Sequence, residues 1–250
     1  MEPMVEGPKA QDFDGGWNAW KAPADVRAHL EWHRRERSVL HQAISAAVAG
    51  ISAPRTLEVG CGTAFDSCVL VLDRPGLEAA AIDFADGAIA AARATSEGLG
   101  VHIDLRKADL VALPFPDAAF DLAFSQGVME HFRDPLPGLR EQVRVTRPGG
   151  TIVIDVPQTL NFYTVMKLIR RAQGKWPWGW ETQYTPWGLV RLGRRAGLTP
   201  VSFEGYGWWG GKADLLSLLR KAGPRSMWES LERRAGRWFL MNLVGVFRRP

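Results

Sequence analysis

The feature that most constrains this chain is the stretch TLEVGCGTA at 56–64, followed by EAAAIDF at 78–84, whose acid is Asp83. An apolar run of strand length ends on Gly60 and Gly62, turns, and passes into a stretch read as a helix. Glycines in such a turn let the backbone bend tightly and approach a ligand that a Cβ would keep away. A carboxylate at the end of the next strand, about twenty residues on, can accept hydrogen bonds from the two hydroxyls of a ribose. Strand, glycine turn, helix, strand and acid in that order also impose the geometry of an α/β layer, so the set says more than a glycine pair alone.

The rest of the sequence keeps that rhythm. Further apolar runs lie at 101–106, 120–125 and 151–157, and two later ones at 199–205 and 239–247 complete the set. Strands alternating with helices imply right-handed crossovers and a doubly wound α/β fold, with a mostly parallel seven-stranded sheet covered on both faces. Capping chemistry marks the helices: Asp86 opens one that stops at Gly98, Asp134 with Pro135 opens another, and Thr185 with Pro186 opens a third closed by Gly197. Residues 1–24 read as a loose leader and 25–48 as one amphipathic helix. Residues 160–174 and 212–237 also look helical, the latter basic. We divide the chain into a leader and cap helix at 1–50, a ligand-binding core at 51–157, and a lid insertion with the C-terminal completion of the sheet at 158–250, all one structural domain.

Composition narrows the classes. Hydrophobic residues make up 46% of the chain, enough for a full core, yet no run is long enough to span a bilayer and the start lacks the layout of a signal peptide. The expected place is the cytoplasm, with peripheral contact at the inner face of a membrane as an extension. Cys61 and Cys68 have no partner at metal or disulfide spacing and read as reduced, buried thiols. Residues 160–250 hold 16 Lys and Arg against 5 Asp and Glu, whereas residues 1–159 hold 15 against 22. A basic region of this kind suits an anionic acceptor, a membrane surface or simply a solvated face.

The turn lacks the GxxxxGK[ST] of a P-loop and the third glycine that cradles a pyrophosphate, which leaves another adenosyl ligand. Over roughly residues 55–156 the chain resembles the class I methyltransferases, in particular their type-11 family of small-molecule enzymes. LEVGCGTA resembles the family's first motif, AIDFADGAIAAAR its ribose acid and helix, KADLVALPFPDAAFDLAFSQGVMEHFRDP its adenine loop and fourth strand, and RVTRPGGTIVIDVP its turn into the fifth strand. The resemblance implies S-adenosyl-L-methionine as cofactor and a Rossmann-like methyltransferase fold. Glu58, Gly60 and Gly62 would face the methionine part, with Cys61 beside them. Asp83 would hold the ribose next to Phe84, Asp109 and Leu110 would read the adenine, and Gln126 would sit beside the sulfonium. Asp109 as a turn cap and Glu58 as a brace for the glycine loop remain alternatives. Ala64 stands where the family often has a third glycine, and closer packing is expected there.

Just past the fourth strand, His131 is the histidine placed near the sulfonium and a candidate general base, although a Glu-His pair there has a structural role in the family; the aromatic insertion offers Tyr163, Trp180 and Tyr184 as candidate substrate residues. No metal is expected, because relatives that bind one do so through E-x-x-E-H and the first position here is Gly127. The aromatic and basic insertion suits a small-molecule, glycan or lipid-linked acceptor methylated on a hydroxyl. Nucleic acid is not expected, there being no separate RNA-binding module. A cofactor-binding regulatory or scaffold protein without turnover, and an RNA-modifying enzyme, are the competing readings.

Overall fold

The computed structural model describes residues 26–176, 180–207 and 224–250. Seven strands form its sheet: β1 (Arg55–Val59), β2 (Glu78–Asp83), β3 (Asp104–Lys107), β4 (Phe120–Gln126), β5 (Thr146–Pro157), β6 (Thr199–Tyr206) and β7 (Asn242–Arg248), in spatial order β3-β2-β1-β4-β5-β7-β6. The first five pair in parallel, while β7 runs antiparallel to both β5 and β6. The sheet is therefore mixed, as "mostly parallel" allows.

Side chains of the central strands alternate between two cores. Leu57, Val59, Ile82, Ala123, Ile152 and Ile154 pack on one face, under α5 (Leu136–Val145) and α7 (Pro186–Arg195). Ala79, Ala81, Leu122, Phe124, Val153 and Val244 pack on the other, under α1 (Val26–Glu36), α2 (Ser38–Ala47), α3 (Phe65–Asp73) and α4 (Asp86–Leu99). Because both faces are covered, the strands read as continuous apolar runs. The order reverses between β1 and β4, and the crevice outside their C-terminal ends is where ligands bind in doubly wound sheets.

The single leading helix of the sequence reading is two helices, broken at Arg37, whose φ of −111° and ψ of 26° leave the helical region. The helix expected to stop at Gly98 continues to Leu99 and closes at Gly100, left-handed with φ 69°; Asp86 lies inside its first turn, and Ala85 holds the cap position. Its closing turn delays the third strand, expected from 101. The Val101 N–H donates to the Ser96 carbonyl at 3.0 Å, and Ile103 is buried against the helices, so pairing begins at Asp104. Pro135 rather than Asp134 precedes α5, with Asp134 accepting from the Leu136 N–H at 3.1 Å. Thr185 caps α7 as read, accepting from Gly188 at 3.0 Å. Past β5 the insertion begins with α6 (Phe162–Ala172), capped by Asn161. Of the basic helical stretch, α8 covers Arg225–Ala235; its first part, the leader and Trp178 lie outside the described residues.

Candidate functional site

At the C-terminal ends of β1, β2 and β4 lies a cavity of about 450 Å³, walled by Glu58, Gly60, Cys61, Gly62, Asp83, Phe84, Asp109, Leu110, Gln126 and His131. These are the nine cofactor residues of the sequence reading together with the candidate base. The glycine loop is held by its own backbone: the Gly60 and Cys61 N–H groups both donate to the Ile82 carbonyl, at 2.8 and 2.9 Å. Gly60 has φ +70°, and a Cβ there would lie 2.4 Å from Val128 Cγ2, so no other residue fits without rebuilding the loop. Ala64 takes the left-handed conformation with φ 55° and is fully buried. An alanine at such a position costs on the order of 1 kcal/mol that a glycine does not.

Asp83 couples loop to ligand site. One carboxylate oxygen accepts from the Gly62 N–H at 3.0 Å and the other from Ala85 at 3.1 Å, which aims the group into the cavity. Burial holds its pKa above the usual carboxylate range against those N–H groups. Leu110 is fixed by α5, where Gly138 leaves room for it: a Cβ at Gly138 would meet Leu110 Cγ at 2.5 Å. Asp109 accepts from the Val111 N–H at 3.1 Å, so it caps its turn while lining the cavity. Glu58 braces the start of α3 through the Ser67 N–H at 3.0 Å and its hydroxyl, and is also a cavity wall.

The cap contributes what the sequence reading missed. Arg37 lines the cavity, donates to Asp66 at 3.0 Å and also hydrogen-bonds Gln126. His33 and His41 each donate through Nε2 to the other oxygen of Asp66, at 2.9 and 2.6 Å. Burial raises the cost of the Asp66 charge, but Arg37 and the two imidazoles outweigh it and hold the carboxyl well below its ordinary value. His33, His41 and Asp66 are close enough to be a metal-ligand trio. With two imidazole donors on one oxygen and a guanidinium on the other, the carboxylate has its partners without a metal ion. The legible signal was the spacing: His33, Arg37 and His41 recur every fourth residue, which stacks polar side chains on one buried helix face.

Asp66 also acts on Glu58, which burial and then the Asp66 charge push up to about 8. Asp155 on β5, buried beneath Tyr206, is pushed up to about 7 by burial. Among the described residues Arg37 is the one Lys or Arg in the cavity wall, so acids outnumber cations there.

His131 accompanies the cavity from the turn after β4. A carbonyl only accepts, so its Nδ1 carries the proton donated to the Trp180 oxygen at 3.2 Å, and burial lowers its pKa. Of the three substrate candidates, Tyr163 lines a second, smaller cavity that shares Gln126 and Gly127 with the first. Tyr184 is buried in the core with its hydroxyl 3.5 Å from the Met129 carbonyl and reaches neither. Trp180 stacks outside between Arg133 and Arg171, at 4.4 and 5.5 Å from the ring centre. Lys167, counted among the basic residues of the lid, is buried in an ion pair with Glu181 at 3.0 Å.

Comparison with known proteins points the same way. The family model described as "Methyltransferase domain" matches residues 57–154, the span from β1 to β5 that builds this cavity. The match supports what the motifs imply, a methyltransferase domain of the type-11 family that uses S-adenosyl-L-methionine. Similar proteins include a ubiquinone biosynthesis O-methyltransferase of Ruegeria pomeroyi, 33% identical over 160 residues, 61% of this chain and 62% of that one. A demethylmenaquinone methyltransferase of Thermus thermophilus is 36% identical over 128 residues, 51% of this chain and 54% of that one. The chain thus spans between half and two thirds of the length of these relatives. Geranyl diphosphate C-methyltransferase from Streptomyces coelicolor shares the fold, with a TM-score of 0.67 over 98% of this chain and 100% of that one, at 13% identity. The methyltransferase core fits the cofactor: the loop that excludes a Cβ at Gly60 and the aimed carboxylate of Asp83 are features this ligand requires.

Proposed function

We propose that the chain is an S-adenosylmethionine-dependent methyltransferase acting on a hydroxyl of a small, glycan- or lipid-linked metabolite. The observation that carries this reading is the pair of cavities meeting at Gln126 and Gly127, one walled for the cofactor and one opening beneath the lid. When bound, the cofactor supplies an electrophilic methyl group on a sulfonium. Asp83 would accept from the ribose hydroxyls, Asp109 and the Leu110 backbone would hold the adenine, and Arg37 would pair with the methionine carboxylate. Glu58 and Gln126 would face the amino and sulfonium groups. What the protein adds is alignment and exclusion of water, the main requirements of an in-line displacement.

The relatives named for ubiquinone and demethylmenaquinone act, by those names, in quinone chemistry, which supports a phenolic or otherwise apolar acceptor. So does α6, which presents Val165, Leu168 and Ile169 to solvent beside Arg170 and Arg171, a mixture suited to an acceptor held at an anionic lipid surface. No described helix is long and apolar enough to cross a membrane. The test is transfer of labelled methyl from S-adenosylmethionine to a panel of phenolic, glycan and isoprenoid-linked acceptors. Transfer to a hydroxyl is the expected result, whereas tight cofactor binding without transfer to any acceptor would favour a scaffold protein.

Two predictions follow from the cofactor cavity and from Asp155, which is buried on β5 outside its wall. With Glu58 held up to about 8 and Asp155 to about 7, the free protein retains protons near neutrality. The cofactor is a net cation and favours their ionised forms, so binding releases protons and tightens as pH rises through that window. The gain is about tenfold for each pKa unit lost on binding. S-adenosylhomocysteine, without the sulfonium charge, should show a shallower slope; equal slopes in calorimetry from pH 6 to 9, roughly the interval spanned by these groups, would count against this charge assignment. His131 ties the turn after β4 to the lid through Trp180. We expect His131→Ala to leave cofactor affinity unchanged and to lower turnover less than the ~100-fold or more that removal of a general base brings.

A further inference from the structure

The lid helix α6 buries a charge and exposes its apolar stripe. A helix that covers a globular domain ordinarily does the reverse. Here Lys167 is the one buried residue of α6, 4% exposed, while Phe162 and Met166 are half-buried and Val165, Leu168 and Ile169 are left to solvent, Leu168 at 60%. The inward charge is satisfied, because the Lys167 ammonium donates to the Glu181 carboxylate at 3.0 Å and to the Glu181 carbonyl at 2.7 Å. Leu160, exposed just ahead of the helix, adds to the outward stripe.

Cations border that stripe. Arg170, Arg171 and Lys175 follow it along the chain, and Arg133, from the turn after β4, stacks with Arg171 on Trp180. All four are exposed, and among the described residues none of them pairs with an acid. From Val156 to Trp180 the sequence has no Asp or Glu, and Asp134 beside Arg133 is engaged with the Leu136 N–H. Exposed aliphatic side chains, an exposed tryptophan and unpaired arginines suit the border between lipid headgroups and acyl chains. A second copy of the chain fits this face less well. A two-fold contact would lay the face on itself and bring the arginines against their own copies. One helix of 11 residues is also a small part of the roughly 800 Å² that each partner gives to a stable interface.

We propose that the outer face of α6, together with Trp180, docks the protein on an anionic lipid bilayer. Val165, Leu168 and Ile169 enter the acyl border, and the arginines and Lys175 meet the headgroup phosphates, their stems lying along apolar surface. Tyr163, on the same helix, stands in the wall of the second cavity. Docking therefore sets that cavity about one helix diameter, ~10 Å, from the headgroups. An acceptor with an isoprenoid or acyl tail can then keep the tail in the bilayer while its head reaches the cavity. That last step rests on the methyl-transfer reading; the docking surface stands without it.

The test is co-sedimentation of the whole protein with vesicles of phosphatidylcholine alone and of an equimolar mixture of phosphatidylcholine and phosphatidylglycerol. The wild type should bind the anionic vesicles at least ~10-fold more strongly than the neutral ones, and less so as salt is raised. Leu168→Ser with Ile169→Ser, at exposed positions where the fold loses no packing, should weaken that binding by ~10-fold or more at unchanged Tm. Arg170→Gln with Arg171→Gln should weaken it by a similar factor. Val201→Ser, at an exposed apolar residue on the edge strand β6, is the control and should leave it unchanged. No binding, equal binding to both vesicles, or binding that follows the arginines but survives the serine changes, the mark of a general polyanion surface, would each overturn the proposal. So would a dimer in sedimentation velocity that the serine variants dissociate, which would assign the face to a second copy. Titration of S-adenosylhomocysteine into the same proteins without vesicles reads the methyl-transfer site separately: its failure would leave docking standing, and a failure of docking would leave that site untouched.

Discussion

Replacing Asp83 by alanine is expected to weaken S-adenosylmethionine binding by ~100-fold or more, since hydrogen bonds to a charged group contribute about 1.5–3 kcal/mol each and the carboxylate would accept two from the ribose. The protein should still fold. The same oxygens now accept from Gly62 and Ala85, so the variant also strands a buried N–H of the glycine loop. That loss costs about 1–3 kcal/mol, seen as a lower Tm with the far-ultraviolet dichroism of the folded state retained. Calorimetry on the two proteins checks it. An unchanged dissociation constant would remove the ribose from this site and, with it, the orientation of the cofactor along the cleft.

The second large effect is expected at Arg37, which comes from the junction of the two cap helices rather than from the methyltransferase core. Arg37→Met takes the one cation from the described wall of a cavity that also holds Glu58, Asp66 and Asp83. Affinity for S-adenosylmethionine and S-adenosylhomocysteine should fall by ~10-fold or more, the value of a charge-assisted hydrogen bond to a carboxylate. Methylthioadenosine, which has the ribose and adenine but no amino-acid part, should bind the variant and the wild type alike. If all three ligands weakened equally, Arg37 would be a support for Gln126 and Asp66 and not a carboxylate partner. Arg37 holds Asp66 and Gln126 through one nitrogen, Nη1, so Arg37→Lys, which keeps the charge but loses the second nitrogen that could reach a ligand carboxylate, should give an intermediate affinity.

These two residues also mark how far the sequence could be read. The place of Asp83 in the cavity wall was legible because it depends on local order: a strand must end where an acid stands, a fixed distance past a glycine turn. The same holds for Gly60, Gly62 and Leu110, whose positions follow from backbone geometry within one βαβ unit. Arg37 and Asp66 were not legible as a pair, since they lie 29 residues apart and meet only once α1 and α2 fold over α3. Glu130 was legible as the acid of the Glu-His pair after the fourth strand, but Glu181 looks like an ordinary surface acid until α6 closes over it and buries it in the ion pair with Lys167. Tyr184, taken as a substrate residue from its place in an aromatic stretch, went the other way. Its hydroxyl turns inward to the Met129 carbonyl, and the ring is part of the core. Aromatic composition alone could not separate it from Tyr163, 21 residues earlier, which does reach a cavity.

The helix boundaries tell the same story at smaller scale. Thr185 and Pro186 set the start of α7 by their own chemistry, while the break at Arg37 has no local signal.

The most direct measurement of the central claim is isothermal titration of the purified protein with S-adenosylmethionine, S-adenosylhomocysteine and NAD. Dissociation constants on the order of micromolar for the two adenosyl ligands, with no heat from NAD, are the predicted result. Binding of NAD in preference to them, or of none of the three, would contradict the assignment of the glycine loop, Asp83 and the cavity they wall.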